Sequence, residues 1–183
     1  MAVRAAVRFK AADIWDTPED GNRYEVIDGA LYVTPPPLWI HQRSGDALFG
    51  YLWHHVRQGG LGEVVTAPVG VVLDEGTGVQ PDIVFVSRGR LSIVSERGVE
   101  GAPDLVVEVL STRTRTRDRG IKMRRYALAG VPWYWLLDPR SRALEEYGLA
   151  GGEFQLVASS GPGSTFTPRL FPGLEIPMDG LWS

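Results

Sequence analysis

The sequence predicts an α/β (α+β) domain: a mixed β-sheet flanked by helices, with an N-terminal hairpin and a C-terminal β-meander. Three observations carry this reading. The chain has 183 residues, 44% of them apolar, enough for one full-sized core and not for two. Its elements run hairpin, helix, several strands, helix, strand, so parallel and antiparallel pairings share the sheet. Asp104-Leu105-Val106-Val107-Glu108-Val109-Leu110 is almost continuously apolar, the pattern of a central strand covered on both faces.

The elements follow in order. Residues 1–19 read as an N-terminal extension. Residues 24–33 are two short runs hinged on Asp28-Gly29, a hairpin signal because the tight turn needs positive φ at both central residues. Thr34-Pro35-Pro36-Pro37 stops the second run, since proline has no N–H to offer a ladder. Ile40, Leu48, Leu52 and Val56 keep a helical spacing within 40–58, and Gly59-Gly60 ends the helix. Residues 63–73 are rich in β-branched side chains and read as a strand, bent or bulged at Pro68 and Gly70. Pro81–Ser87 is a short apolar strand with Asp82 at its mouth, and 88–102 is loop with a short helix. After the central strand, 117–129 reads as a helix weakened at Gly120 and ended by Gly130. Val131–Leu137 is a strand closed by an Asp138-Pro139 turn, and 143–148 with 153–158 begin the meander, which runs into an extended Pro/Gly-rich tail. The expected organisation is one domain over 1–183, with a core at 20–140 and the meander and tail at 141–183.

Composition removes several function classes. With no cysteine there is no disulfide, thiol catalysis or Cys-rich zinc site, which suits a reducing cytoplasm. The three histidines, two of them adjacent, do not suggest a three-His metal centre. No apolar run approaches the roughly 18 residues that cross a bilayer, so no membrane association is expected. No phosphate-binding loop, dinucleotide glycine fingerprint or nucleophile elbow is present.

The charge is unevenly spread. Residues 113–125 hold seven basic side chains against the single Asp118, so a net charge of −3 leaves the rest of the chain at −9. Such a segment is either a localised contact for phosphates or carboxylates, or a solvated, Arg-rich helix start. Lysine occurs only at Lys10 and Lys122 against 17 arginines. A compact ammonium with a tunable pKa therefore stands at 122 where arginine is the habit.

Glu108 is the informative position. A carboxylate inside an apolar strand is dehydrated, which costs several kcal/mol unless it is paired, ligates a metal or opens onto a cleft. Strand alternation puts Asp104, Val106 and Glu108 on one face. Asp82 repeats the theme on its own strand. Two acids on adjacent strands make a hard-oxygen pocket suited to Mg²⁺; the other reading is ion pairing with nearby arginines.

Three stretches together resemble a known family: Gln80-Pro81-Asp82-Ile-Val-Phe-Val, then Ala102-Pro103-Asp104-Leu-Val-Val-Glu108-Val-Leu-Ser111, then Asp118-Arg119-Gly-Ile-Lys122 with Tyr126-Ala127, Ala129-Gly130-Val131-Pro132, Tyr134-Trp135 and Asp138-Pro139. The pattern is similar to the Uma-type family of putative restriction endonucleases, a divergent branch of the PD-(D/E)XK nuclease superfamily. The Tyr24–Gly29 hairpin and His41 fit the same family, and the resemblance spans roughly 20–140. It implies a restriction-endonuclease-like core with a metal site at one end of the sheet. Asp82 matches the first acid and Glu108 the second. The position two after Glu108 is Leu110 where the superfamily has lysine, and Lys122 on the following helix matches the lysine supplied from there.

The implied function is metal-dependent hydrolysis of nucleic-acid phosphodiesters, with DNA as the expected substrate. Asp82, Glu108 and the Val109 backbone carbonyl would hold Mg²⁺ or Mn²⁺, and Lys122 would orient the attacking water. Glu25, Asp104 and His41 are supporting candidates. Arg113, Arg115, Arg117 and Arg119, if extended, would track a phosphate backbone. A chain of this size that cuts both strands would act as a homodimer. The alternative is a non-catalytic nucleic-acid-binding or oligomeric accessory protein that keeps the nuclease fold. The six tryptophans divide between base stacking and core packing. Trp133 and Trp135, on one strand face, read as a packing surface or dimer contact.

Overall fold

In the computed structural model, which describes residues 8–182, two large β-sheets and a two-stranded one make up the molecule's strands. Strands β1 (Arg23–Ile27) and β2 (Ala30–Thr34) form the expected hairpin, with Asp28 at φ 53° and Gly29 at φ 77°. Helix α1 (Trp39–Gly59) follows the prolines and ends at Gly60 in the left-handed region, where the Leu61 N–H reaches back to the Val56 carbonyl. Next come β3 (Gly62–Thr66), β4 (Gly70–Asp74), β5 (Thr77–Val79), β6 (Ile83–Ser87), β7 (Gly98–Glu100) and β8 (Leu105–Val109). The second helix, α2 (115–128), opens with Arg115–Arg117, passes through a π-helical turn at Asp118–Lys122 and resumes at Met123–Leu128. Strands β9 (Trp133–Asp138), β10 (Ala143–Ala150) and β11 (Glu153–Ser160) make the meander, and β12 (Thr165–Phe166) pairs β13 (Ile176–Pro177).

The larger sheet has six strands in the order β11-β10-β9-β8-β6-β3 and is mixed, since β8 runs parallel to β9 and antiparallel to β6. The smaller has five in the order β2-β1-β5-β4-β7. The run expected as one bent strand at 63–73 is two strands in different sheets: β3 pairs β6, β4 pairs β5 and β7, and Pro68 lies between them. Sequence pattern could not separate them, because β-branched residues suit both. Strand β7 also lies within the stretch read as loop and short helix.

The β8 strand is buried along its length, and its alternation sorts the core. Leu105, Val107 and Val109 pack with Leu48, Leu52 and Val56 of α1. Val106 and Leu110 pack on the other face with Tyr126, Tyr134 and the valines of the smaller sheet. The segment expected as an extended tail supplies six core side chains, Phe166, Phe171, Leu174, Ile176, Met178 and Leu181. Trp135 meets Phe166 and Phe171 edge to face at centroid distances of 5.4 and 6.1 Å, so that tryptophan is core. Within the N-terminal extension, the short helix at Ala11–Asp16 packs on the smaller sheet. A Cβ at Gly70 would lie 2.1 Å from the Trp15 ring, so glycine there is what admits the indole.

Candidate active site

Five elements bring buried charge to one end of the sheets. Strand β1 presents Arg23 and Glu25 on the same face by its period of two. The β6–β8 register, with Ile83 opposite Val107, sets Asp82 beside Glu108 across the two strands. The π-helical turn of α2 buries both Asp118 and Lys122, a distortion of the kind often found at functional sites. The first turn of α1 brings His41. These residues line one cavity of about 780 Å³.

Lys122 is only 2% exposed. Its Nζ stands 2.7 Å from Glu25 Oε1 and 2.5 Å from Glu108 Oε1, with Asp118 Oδ1 at 4.0 Å. Tyr126 donates its hydroxyl to Glu108 Oε1 at 2.7 Å. Asp82 accepts from Arg23 at 2.7 Å through Oδ1 and from the Val109 N–H at 2.7 Å through Oδ2, with His41 Nε2 3.5 Å from Oδ2. Arg117 donates to Thr34 Oγ1 at 2.8 Å, approaches Glu25 Oε2 at 3.6 Å and lies over the Tyr32 ring.

The environments push the acids apart. Burial favours the neutral form of Glu108, and although Lys122 opposes it, neighbouring Asp118 and Asp82 add to the rise, to about 8. Asp82 is buried too, but the Arg23 guanidinium, His41 and the Val109 N–H hold it well below the usual carboxylate range. Glu25 is lowered by Lys122 and Arg117 against its burial. Burial disfavours the Lys122 ammonium, yet Glu108, Glu25 and Asp118 raise its pKa above the ordinary lysine value. Two neighbouring carboxylates thus differ in proton affinity, Glu108 raised by burial and Asp82 held ionised by its partners.

The donor set suits a hard dication in kind. Glu25, Asp82, Glu108 and Asp118 outnumber Arg23, Arg117 and Lys122 by one charge when all are ionised, and Glu25 Oε2 is a buried oxygen without a hydrogen-bond donor. Among the described residues no three His, Asp or Glu side chains already converge on one point. Lys122 Nζ stands between two of the acids instead.

The structure therefore gathers Asp82, Glu108, Lys122, Glu25 and His41. Asp104 lies apart: it precedes β8 at the far end from Glu108, pairs with Arg90 at 2.9 Å and accepts the Ser87 N–H at 2.7 Å. The arginines do not form an extended ladder, because helix geometry from 115 onward points them to different sides. Arg115 is held by Asp138 at 2.6 Å, and Arg119 grips Glu145 with two bonds at 2.8 and 3.0 Å. Arg117 belongs to the acid cluster, while Arg113 is exposed and lines the cavity. Sequence reasoning missed Arg23, Asp118 and Tyr126 as members. Each stood at a telling spacing: Arg23 two before Glu25 on a strand, Asp118 and Tyr126 four either side of Lys122 on a helix.

Comparison with known proteins agrees with this architecture. A crystal structure of a "putative nuclease belonging to DUF820" from Anabaena variabilis superposes with a TM-score of 0.76, covering 95% of this chain and 97% of that one at 17% identity. That likeness extends the same fold over nearly the whole chain. No curated protein matches. The family model Uma2, described as "Putative restriction endonuclease", matches residues 11–179. The chain is a member of the Uma2 family.

Proposed function

We propose that this protein is a metal-dependent endonuclease that hydrolyses phosphodiester bonds of DNA, acting in the cytoplasm as a homodimer. The observation that carries the reading is the meeting of Asp82, Glu108 and Lys122 in one cavity, drawn from two strands and a helix. Asp82, Glu108 and the Val109 carbonyl would hold Mg²⁺ or Mn²⁺. A bound dication supplies Lewis-acid chemistry, making water more acidic and offsetting phosphate charge.

The chain's own residues do the rest. Arg23 keeps Asp82 ionised at all working pH values. Tyr126 fixes Glu108 through Oε1. Glu108, Glu25 and Asp118 hold Lys122 protonated, so its ammonium orients the attacking water and meets the negative charge that grows on the phosphate as the water oxygen bonds phosphorus and the P–O bond to the sugar breaks, the water's proton passing to solvent and the leaving sugar oxygen taking one up from it.

Titration calorimetry with Mn²⁺ on the wild type and on Asp82→Asn/Glu108→Gln, followed by cleavage assays on plasmid and oligonucleotide DNA, tests this reading. Metal binding and cutting are expected in the wild type and in neither case in the double variant; a double variant that cuts at the native rate sinks the assignment. One observation favours a second reading, a nucleic-acid-binding protein with a silent site: Lys122 already occupies the space between Glu25 and Glu108, and Arg23 pairs with Asp82. Wild-type protein that binds DNA but neither metal nor cuts would select it.

A further inference from the structure

The basic side chains that line the cavity fall into two groups. Three are spent on the acid cluster: Arg23 on Asp82, Arg117 on Glu25, and Lys122 between Glu25 and Glu108. Arg113 and Arg140 line the same cavity, are exposed, and pair with no carboxylate among the described residues. The hydrolytic centre makes no use of either.

The fold sets these two arginines together. Strands β8 and β9 run parallel with Val109 opposite Leu137, and the Leu110 N–H reaches the Leu137 carbonyl, so the segments that leave the two strands start level. The Arg140 guanidinium on the second segment donates to the Thr112 hydroxyl on the first, at 3.4 Å, one residue from Arg113. Both segments are held by their own bonds. Ser111 Oγ accepts the Thr114 N–H at 3.1 Å and lies 2.9 Å from the Thr114 hydroxyl. Asp138 accepts the Arg140 N–H at 3.1 Å through Oδ1, and Arg115 and the Ser141 hydroxyl, each at 2.6 Å, through Oδ2. The carboxylate nearest Arg140 along the chain is thus occupied, and its guanidinium stays without an acid.

Position and charge say what the pair is for. Arg113 follows Glu108 by five residues, so their Cα atoms are at most about 18 Å apart. That is a few nucleotides at roughly 3.4 Å each when stacked. The acid cluster has one negative charge in excess, so it repels a phosphate until a dication arrives, and Arg113 and Arg140 supply the attraction that it lacks. A guanidinium presents a planar fork of donors that matches phosphate oxygens. A single ester held at Asp82 and Glu108 would satisfy neither fork.

We propose that Arg113 and Arg140 form a subsite for a second phosphate of the substrate, other than the one that is cut, so that the site acts on a chain carrying at least two phosphates and not on an isolated ester. The proposal rests on the hydrolytic reading above and narrows its substrate.

Binding measured in EDTA, where cutting plays no part, separates the two claims. Fluorescence anisotropy would follow a labelled oligothymidylate strand on the full chain over a range of salt, beside the same strand with uncharged methylphosphonate linkages. Each strand is made with and without a terminal phosphate. The variants are Arg113→Ala/Arg140→Ala and, as a control, Arg124→Ala, an exposed arginine off the cavity with no ionic or hydrogen-bonded partner among the described residues. The arginine pair should lower the salt slope by about 1.4, two phosphate contacts on a single strand. It should weaken binding of the charged strand about 10- to 150-fold. Arg124→Ala should do neither. A terminal phosphate that restores binding of the methylphosphonate strand to the wild type alone shows that the subsite takes an end phosphate; no such rescue shows that it takes one within the backbone. An unchanged slope in the arginine pair overturns the proposal, as does an equal loss in Arg124→Ala, which would make the effect one of net charge. Binding as expected with no cutting in Mn²⁺ upholds the subsite and retires the hydrolytic reading. Cutting in Mn²⁺ that Arg113→Ala/Arg140→Ala leaves at the native rate does the reverse.

Discussion

Lys122 joins Glu25 to Glu108, and by doing so joins the two sheets: Glu25 belongs to β1 of the smaller one and Glu108 to β8 of the larger. The ammonium is both the electrostatic centre of the cavity and the bridge between its walls. Removing it leaves the dehydrated Glu25 carboxylate without its ammonium partner, facing Glu108. Lys122→Met should therefore destabilise the fold by about 3–5 kcal/mol. The double variant Lys122→Met/Glu25→Gln should recover part of the loss in urea unfolding. Simple additivity of the two single changes would show that the pair does not interact.

Metal affinity should depend on pH with a definite sign. Burial, helped by Asp118 and Asp82, sets the Glu108 pKa at about 8, so a cation entering at neutral pH must displace its proton. Mn²⁺ affinity is expected to rise up to about tenfold per pH unit toward pH 8 and to level off above it. Calorimetry in buffers of different ionisation heat would count the proton released. The metal-free fold shows the opposite trend from this group. Glu108 keeps its proton to about pH 8 when folded but only to its ordinary 4.5 when unfolded, so its contribution is complete below 4.5 and lost as pH rises through 8. A pH-independent Mn²⁺ affinity between pH 6 and 8 would contradict this account.

The arginines of the basic segment should separate in salt titrations of DNA binding. Arg113→Ala should lower the slope by roughly 0.7 to 0.9, one phosphate contact. Arg115→Ala and Arg119→Ala should leave it unchanged, since Asp138 and Glu145 already hold those guanidinia. Equal effects at all three positions would restore the extended ladder read from sequence.

Glu146 is fully buried, and its two oxygens accept the N–H groups of Arg169 at 2.9 Å and Leu170 at 3.2 Å. Glu146→Ala strands both donors and should cost about 2–3 kcal/mol. Hydrogen exchange offers a local readout: the Arg169 and Leu170 amides should lose protection before those of β8. Unchanged protection there would place the anchor elsewhere.

What the sequence made legible, it made legible through conflict or compulsion. Glu108 stood out because a charge in an unbroken apolar strand needs a reason. Asp28-Gly29 and Gly60 were plain because few other residues take those dihedral angles. The switch of sheets at Pro68 left no mark, because β3 and β4 are both β-branched and periodicity does not say which neighbour a strand will choose. The partners of the arginines left no mark in the sequence, because a pattern of alternate charges is neutral between strand and helix until Asp138 and Glu145, far off along the chain, are in place. The apolar residues from Phe166 to Leu181 were hidden by the prolines and glycines between them, which erase any period while leaving the side chains free to pack one by one.

That last segment has a consequence for the order of events in the cell. Residues from Phe166 to Leu181 fill the reverse face of the sheet that carries Glu108, against Trp135 and α1. A growing chain on the ribosome exposes the acids of β6 and β8 long before it makes the residues that clamp those strands. The cavity's walls are thus incomplete until Phe166 to Leu181 have been made, and a nascent fragment stopped before Phe166 carries Asp82 and Glu108 without the scaffold that aims them.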